Sequence, residues 1–268
     1  MYKESQGNIS CNYPGYPIKG LLRKIDKSYK IDWFYRYMVE IYFGEDNKGM
    51  DFKKIKMCIF DVNGVLIDSN LANAKAMGMA FTNDPIMQDR IAKFYLTLTG
   101  IDRGSKIRKV QAHYFGEPLA KNEFVRCWKK LMDLTRQSMI GAPLTEGCAD
   151  ILAALGRLKI TRAALSNTPL VELNEILRAQ KLNLLLDIIR GGGDWPKTES
   201  LARFLDEFQL DPATCVFLGD GKGDLSAARY TKVPFVAIDP DTGEFDGEEG
   251  FDGPYKNLAE WGKERLGL

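Results

Sequence analysis

The sequence predicts an α/β protein with a Rossmann-like parallel sheet as its core and an inserted, all-helical cap domain. The first observation is a short apolar strand over residues 57–60 that ends on Asp61. The second is an alternation of apolar strand segments and amphipathic helical segments over residues 141–268, which is typical of a parallel sheet covered on both faces. The third is the stretch between them, residues 70–140, which has helical periodicity and no strand signal of any length.

The same observations divide the chain into three parts. We predict that residues 51–69 and 141–268 form the α/β core and that residues 70–140 form the helical cap inserted into it. Residues 1–50 are predicted to be an N-terminal helical extension, because apolar side chains recur at helical spacing between residues 21 and 43. This extension either packs on its own domain or makes a homo-oligomer or partner contact, since Tyr and Trp are favoured at interfaces.

Individual elements are predicted from periodicity and from start and stop signals. Helices begin near residue 72 and cover residues 85–98, 107–114, 122–139, 146–158, 169–180, 197–208, 225–230 and 258–266. After the first strand, apolar runs predict strands over residues 162–166, 184–190, 215–219 and 234–238. Residues 239–253 are rich in Gly and Asp, so we predict a surface loop there.

Composition and charge are those of an ordinary globular protein. Of the 268 residues, 45% are hydrophobic and 27% are charged, and the formal net charge is +1, so nothing indicates a nucleic-acid or membrane partner. No apolar run approaches the roughly 20 residues of a membrane span, and the start lacks the apolar segment of a signal peptide. The five cysteines are widely spaced without a Cys-x-x-Cys pair, which favours a reducing, cytoplasmic location.

Polar side chains fall at or just after the ends of four predicted strands. They are Asp61, Ser166, Lys197 and Asp220. Because ligands bind at the carboxyl edge of open α/β sheets, we expect these side chains to lie together there. Carboxylates suit Mg²⁺, and a hydroxyl and an ammonium can donate to phosphoryl oxygens. Singly, Ser166 could cap a helix and Lys197 could start a solvated helix, but together the four predict a phosphate and metal site.

Four sequence motifs carry a family resemblance. Residues 56–69, Lys-Met-Cys-Ile-Phe-Asp-Val-Asn-Gly-Val-Leu-Ile-Asp-Ser, resemble motif I of the haloacid dehalogenase (HAD) superfamily, Asp-x-Asp-Gly-[Thr/Val]. Ala-Leu-Ser-Asn-Thr, Gly-Gly-Gly-Asp-Trp-Pro-Lys and Leu-Gly-Asp-Gly-Lys-Gly-Asp resemble motifs II, III and IV in order and spacing. The resemblance covers residues 54 to about 240 and implies a hydrolase of the helical-cap phosphatase type, similar to phosphoglycolate phosphatases and β-phosphoglucomutases.

The resemblance implies roles for the strand-end residues. Asp61 matches the nucleophile that forms an aspartyl-phosphate, and Ser166 and Lys197 match the catalytic residues that hold the phosphoryl group. Asp220 and Asp224 match the two acids of motif IV. Together with Asp61 and Asn63, they would hold Mg²⁺.

Residues near these motifs are implied to bind the substrate, a small phosphorylated metabolite. Ser166, Asn167 and Lys197 would contact its phosphate. Arg103 lies in a predicted cap loop, and similar loops in the family point at the substrate, although a solvated loop is an equally good interpretation.

Asn63 departs from the motif, which has a second Asp at this position. In the phosphatase families that acid protonates the leaving oxygen and then activates water. An amide can do neither, and the lost general acid–base contribution is roughly 10²–10⁴-fold. The chain is therefore an engineered or trapped variant, a natural member, or a degenerate member that binds without turnover. A natural member would use a leaving group that needs no proton, such as an acyl phosphate, or pass the phosphoryl group to another acceptor.

We predict a Mg²⁺-dependent phosphohydrolase that acts on a small organic phosphomonoester through an aspartyl-phosphate on Asp61. Its activity would be weakened because the general acid/base position is Asn63. The alternatives are a non-catalytic phosphometabolite-binding or scaffold protein of the same superfamily and, less favoured, a haloacid dehalogenase.

Overall fold

The computed structural model describes residues 54–98, 101–116, 118–192 and 195–268. The predicted N-terminal extension lies outside the described residues. None of the helices in the described ranges has the length and apolarity that crossing a membrane requires.

The core is one six-stranded sheet in which every pair of neighbouring strands is parallel. Its strands are β1 (Met57–Phe60), β2 (Thr161–Pro169), β3 (Ile188–Gly192), β4 (Cys215–Gly219), β5 (Phe235–Ile238) and β6 (Asp252–Tyr255). They lie in the order β3-β2-β1-β4-β5-β6. Every residue of the central strands β1 and β4 is buried, because helices cover both faces of the sheet.

Nine helices of at least nine residues surround or extend this sheet in the part of the chain that the structure describes. They are α1 (Asn70–Phe81), α2 (Pro85–Leu96), α3 (Arg103–Tyr114), α4 (Lys121–Gly141), α5 (Cys148–Arg157), α6 (Leu170–Ala179), α7 (Lys197–Glu207), α8 (Lys222–Thr231) and α9 (Leu258–Leu266). The predicted fold class, a Rossmann-like parallel sheet with an inserted helical cap, is confirmed.

Two apolar clusters cover the two faces of the sheet. Alternate side chains of β1 point to opposite faces, so Phe60 packs in the cluster that contains residues of α5, α6 and α9. Ile59 packs in the other cluster, with residues of α7 and α8. The strand must therefore be apolar at every position, which explains the short continuous run Met-Cys-Ile-Phe.

Helices α1 to α4 form the cap between β1 and α5. They enclose an apolar cluster of their own, which includes Met77, Ile91, Ile107 and Leu131. Gly78 lets α1 approach α2 closely, because a Cβ at this position would lie 2.4 Å from the backbone oxygen of Gln88. The cap is thus a packed helical unit and not an irregular insertion.

Several predicted element boundaries need correction. The predicted strand over residues 184–190 is wrong at its start, because Leu182–Leu184 forms a 3₁₀ turn and β3 covers Ile188–Gly192. The predicted loop over residues 239–253 is wrong at its end, because Asp252 pairs with Val236 and begins the edge strand β6. The sequence Asp-Gly-Pro-Tyr has little strand propensity, so the pairing with β5 imposes this strand.

Helix α8 begins at Lys222, three residues before the predicted start. Carboxylates hold its first turn in place. The backbone nitrogen of Lys222 donates to Glu244 at 2.9 Å, and that of Gly221 donates to Asp224 at 3.2 Å. Negative charge at a helix N-terminus stabilises the first turn, and here part of it comes from a distant loop that local sequence does not reveal.

Candidate active site

The site begins where the two central strands end. Phe60 of β1 pairs with Leu218 of β4, and the backbone nitrogen of Asp61 donates to the Leu218 oxygen at 2.9 Å. Asp61 follows β1 directly and Asp220 follows β4 directly. Because the strands are parallel and in register, both side chains lie at the same carboxyl edge of the sheet.

Three carboxylates gather at this edge. Asp61, Asp220 and Asp224 each offer an oxygen, and these oxygens all lie within 4.8 Å of one another. Asp61 and Asp224 are only 7% and 4% exposed, and Asp220 is partly buried. Such a cluster of hard oxygen donors is chemically suited to a divalent cation such as Mg²⁺.

Lys197 places a positive charge among the carboxylates. It is the first residue of α7, yet only 9% of its side chain is exposed, so it is not a solvated helix start. Its Nζ lies 2.8 Å from Oδ1 of Asp61 and forms a second ion pair with Oδ1 of Asp224. One ammonium cannot balance three carboxylates, so the site keeps a surplus of negative charge when all four groups are ionised.

The pKa values reflect this charge balance. Burial raises the pKa of Asp224 to about 6, helped by Asp61 and opposed by Lys197. Burial, followed by the charges of Asp61 and Asp224, raises the pKa of Asp220 well above its ordinary value. Burial alone would lower the pKa of Lys197, but Asp224 and Asp61 raise it above the ordinary value. The metal-free site therefore favours bound protons, and a divalent cation would offset the same repulsion.

Asn70, the first residue of α1, connects the cap to the carboxylates. Its Nδ2 donates to Oδ2 of Asp220 at 2.6 Å. Gly64, at a φ of +80°, makes room for this contact, because a Cβ there would lie 2.0 Å from Oδ2 of Asp220. The sequence prediction missed Asn70. The available signal was its spacing of three residues from Asn73, which places the two amides on one face of a helix.

Asn63 lies in a network of uncharged groups. Its Oδ1 accepts hydrogen bonds from Oγ of Ser69 at 2.9 Å and from Nδ2 of Asn73 at 3.3 Å. Oδ1 of Asn73 accepts in turn from Oγ of Ser138 in α4 at 3.1 Å. Ser69 and Asn73 are buried. The network positions the Asn63 amide and contains no group that titrates near neutral pH.

Ser166 lies at the same edge of the sheet. Phe60 pairs with Ala164, so Ser166 is two residues further along β2. It is 2% exposed, and its Oγ accepts from the backbone nitrogen of Thr168 at 3.1 Å. This contact lies within β2, where the register against β3 shifts between Leu165 and Pro169, and it is not an N-cap, because α6 begins only at Leu170. Asn167 is exposed. The phosphate-binding roles of Ser166 and Asn167 stay predictions.

Arg103 does not lie in a loop, as predicted, but is the first residue of α3. Asp102 caps this helix by accepting from Ser105 N at 2.9 Å, which sequence reasoning overlooked. Nη1 of Arg103 lies 3.5 Å from Oε2 of Glu172 in α6, so the pair links cap and core. Glu172 is 6% exposed. The structure therefore pairs Arg103 with a core acid, and its proposed contact with substrate stays a prediction.

Comparison with known proteins identifies the class of this protein. Residues 55–230 match the family model described as haloacid dehalogenase-like hydrolase. Because the match spans more than half of the chain, the chain belongs to the haloacid dehalogenase-like hydrolase family. The predicted family resemblance and the prediction of an enzyme are confirmed.

Two curated relatives are phosphatases. The chain is 25% identical over 210 residues to the phosphoglycolate phosphatase of Shigella sonnei, which covers 70% of this chain and 82% of the relative. It is 23% identical over 206 residues to the phosphoglycolate phosphatase of Salmonella typhi, covering 69% of this chain and 82% of the relative. These matches support a phosphatase function.

Solved structures share the fold. CbbY from Rhodobacter sphaeroides in complex with phosphate has a TM-score of 0.64 at 21% identity, covering 80% of this chain and 100% of that one. A predicted phosphoglycolate phosphatase from Haemophilus somnus has a TM-score of 0.59 at 19% identity, covering 69% of this chain and 85% of that one. At these identities the likeness concerns the fold alone.

Proposed function

We propose that this chain is a Mg²⁺-dependent phosphohydrolase that acts on a small organic phosphomonoester through an aspartyl-phosphate on Asp61. One observation carries the proposal. The buried Asp61 carboxylate contacts Lys197 and lies within 4.8 Å of the oxygens of Asp220 and Asp224. The proposed nucleophile, the ammonium of Lys197 and the proposed cation ligands thus share one sheet edge. The phosphoglycolate phosphatases among the relatives support the substrate class.

The proposed Mg²⁺ ligands are Asp61, Asp220, Asp224 and the backbone carbonyl of Asn63. The three buried or partly buried carboxylates fit a hard cation that prefers oxygen donors. When bound, the ion would supply positive charge that stabilises the charge of the phosphoryl oxygens.

The chain's own residues would carry the chemistry. Oδ1 or Oδ2 of Asp61 attacks phosphorus in line with the leaving oxygen, and the bonding electrons leave with that oxygen. Lys197 and Ser166 donate hydrogen bonds to the phosphoryl oxygens and hold them in place. Water then hydrolyses the aspartyl-phosphate and releases phosphate. Positioning and electrostatics provide most of the rate enhancement in phosphoryl transfer.

The test is phosphate release from a panel of phosphomonoesters that includes 2-phosphoglycolate. It is run with and without Mg²⁺ on the protein with Asn63 and on the Asn63→Asp variant. We expect Asp61→Asn to reduce release on the order of 10⁵–10⁶-fold, as removal of a covalent nucleophile does. Asp89→Asn, which removes an exposed carboxylate of α2, is the matched control. If neither the protein with Asn63 nor the Asn63→Asp variant released phosphate from any substrate, the proposal would be contradicted.

The alternative is a non-catalytic phosphometabolite-binding protein. Asn63 motivates it, because the hydrogen-bond network around this residue contains no carboxylic acid. Intact mass after incubation with acetyl phosphate separates the two functions. A covalent phosphoryl adduct that disappears in Asp61→Asn supports the enzyme, whereas ligand binding without an adduct supports the alternative. Halide release from 2-haloacids would instead indicate a dehalogenase.

A further inference from the structure

The orientation of the Asn63 amide determines which of its atoms can face a ligand. Oδ1 accepts hydrogen bonds from Ser69 and Asn73. The amide is planar, so Nδ2 lies on the other side of the same group, where none of the described residues accepts a hydrogen bond from it. An amide nitrogen can donate a hydrogen bond but has no proton to transfer near neutral pH.

The surrounding chain keeps the amide in this orientation. The turn after β1 is closed by its own backbone, because the nitrogens of Gly64 and Ser69 both donate to the oxygen of Ile67, at 2.8 and 2.9 Å. Asn73 contacts Ser138 of α4 on its far side. Turning the Asn63 amide over would set its NH₂ group against the Nδ2 donor of Asn73, and a lost hydrogen bond costs about 1 kcal/mol. These contacts therefore keep Nδ2 of Asn63 directed away from Asn73.

The other described side chains at the site have different tasks. Lys197 already forms ion pairs with Asp61 and Asp224, and its proposed role is to hold the phosphoryl oxygens. Asp61 is the proposed nucleophile. Asp220 and Asp224 belong to the proposed cation site, where carboxylates bind in ionised form. Within the residues that the structure describes, we find no acid placed to protonate a leaving oxygen.

We propose that the site acts on phosphoryl donors whose leaving group departs as a stable anion, such as acyl and aryl phosphates, in preference to alkyl phosphomonoesters. The inference rests on the phosphohydrolase function proposed above. The Asp61–phosphorus bond forms and the bond from phosphorus to the leaving oxygen breaks. The electron pair leaves with a carboxylate or phenolate oxygen, and Nδ2 of Asn63 donates a hydrogen bond to it without giving up a proton.

The experiment measures how phosphorylation of Asp61 depends on the basicity of the leaving group. Acetyl, 4-nitrophenyl, phenyl and methyl phosphate form a series of increasingly basic leaving groups. Single-turnover release of the leaving group and intact mass of the protein report the step directly. The proteins are the wild type, Asn63→Asp and Asn63→Ala. Asn122→Asp makes the same change at an exposed position of α4 and serves as the matched control.

We expect the wild type and Asn63→Ala to slow steeply along the series, while Asn63→Asp depends weakly on the leaving group. With methyl phosphate, Asn63→Asp should exceed the wild type by roughly 10²–10⁴-fold, the contribution of general acid catalysis. With acetyl phosphate, the two should react at similar rates. Ser69 and Asn73 donate equally well to a carboxylate oxygen, so thermal unfolding should show that Asn63→Asp folds normally.

If the rate of Asp61 phosphorylation depended equally on the leaving group in the wild type and in Asn63→Asp, the inference would be overturned. The phosphohydrolase proposal would still hold in that case if Asp61→Asn abolished the adduct. Absence of any adduct from acetyl phosphate in both proteins would instead overturn the phosphohydrolase proposal and this inference with it.

Discussion

The site has two halves that differ in charge and in origin. The charged half consists of Asp61, Lys197, Asp220 and Asp224, which come from strand ends and from the first turns of α7 and α8. The neutral half consists of Asn63, Ser69, Asn73 and Ser138, which come from the turn after β1 and from the cap helices α1 and α4. The strand ends and helix starts of the core thus supply charge that can bind an anion and a cation, whereas the turn after β1 and the cap helices supply hydrogen bonds that fix positions without moving protons.

This difference explains why the two halves should respond differently to substitution. Removing the ammonium of Lys197 from the buried cluster leaves the carboxylates without compensation, which costs several kcal/mol. Removing a neutral hydrogen bond costs about 1 kcal/mol.

Lys197→Met should reduce phosphoryl transfer by about 10²–10³-fold, the usual loss when one electrostatic donor to a transition state is removed. The three carboxylates would also repel one another without the ammonium. Steady-state phosphate release measures the effect, and Lys93→Met, at an exposed position of α2, is the control. A loss of less than threefold would show that the charged half does not depend on this ammonium.

Stability should fall as pH rises in the metal-free protein. The pKa of Asp224 is raised from 3.8 to about 6, so the folded chain keeps a proton that the unfolded chain releases between about pH 4 and pH 6. A pKa shift of this size corresponds to about 2–3 kcal/mol in the free energy of unfolding. The melting temperature measured with EDTA should therefore be lower at pH 7 than at pH 5.

The pH dependence of the melting temperature should change when Asp224 is replaced or when Mg²⁺ is added. Asp224→Asn should flatten the change in melting temperature between pH 5 and pH 7, and Mg²⁺ should raise the melting temperature more at pH 7 than at pH 5. If the metal-free protein were more stable at pH 7 than at pH 5, the charge balance described for the site would be contradicted.

Asn70→Ala tests the link between the two halves. Asn70 donates to Asp220 at 2.6 Å, and loss of a partner that orients a metal ligand typically weakens metal binding or activity by about 10–100-fold. Calorimetric titration with Mg²⁺ measures the change without relying on activity. Asn122→Ala, at an exposed position of α4, is the matched control. Equal Mg²⁺ affinity in Asn70→Ala and the wild type would show that Asn70 does not orient Asp220 for the cation.

Ser138→Ala should have the smallest effect. It removes one neutral hydrogen bond from α4 to Asn73, which is expected to cost about 1 kcal/mol and to reduce activity less than about tenfold. Thr97→Ala removes an exposed hydroxyl that donates to Phe94 O in α2 and is the comparison for stability. If Ser138→Ala reduced phosphate release as much as Lys197→Met, the charged and neutral halves of the site would not differ in the way proposed.

Prediction from sequence succeeded where local pattern determines structure. The continuous apolar run Met57–Phe60 indicated a strand buried on both faces, and the polar residue after it indicated the sheet edge. Prediction failed for β6, because Asp252–Tyr255 has little strand propensity and becomes a strand by pairing with β5. It also missed Asn70, which lies 150 residues from Asp220 in sequence. The spacing of Asn70 from Asn73 indicated a shared helix face, but it did not indicate the contact with Asp220.

The sequence by itself determined the family, the strand–helix alternation and the four strand-end residues, because these depend on periodicity and on the short motifs at strand ends. Only the tertiary structure decided that Lys197 bridges two carboxylates, that Arg103 pairs with Glu172, and that the Asn63 oxygen is occupied by hydrogen-bond donors. These features depend on distances and burial between residues from separate segments. Electrostatic and hydrogen-bond energies change over a few ångströms, which chain order alone does not specify.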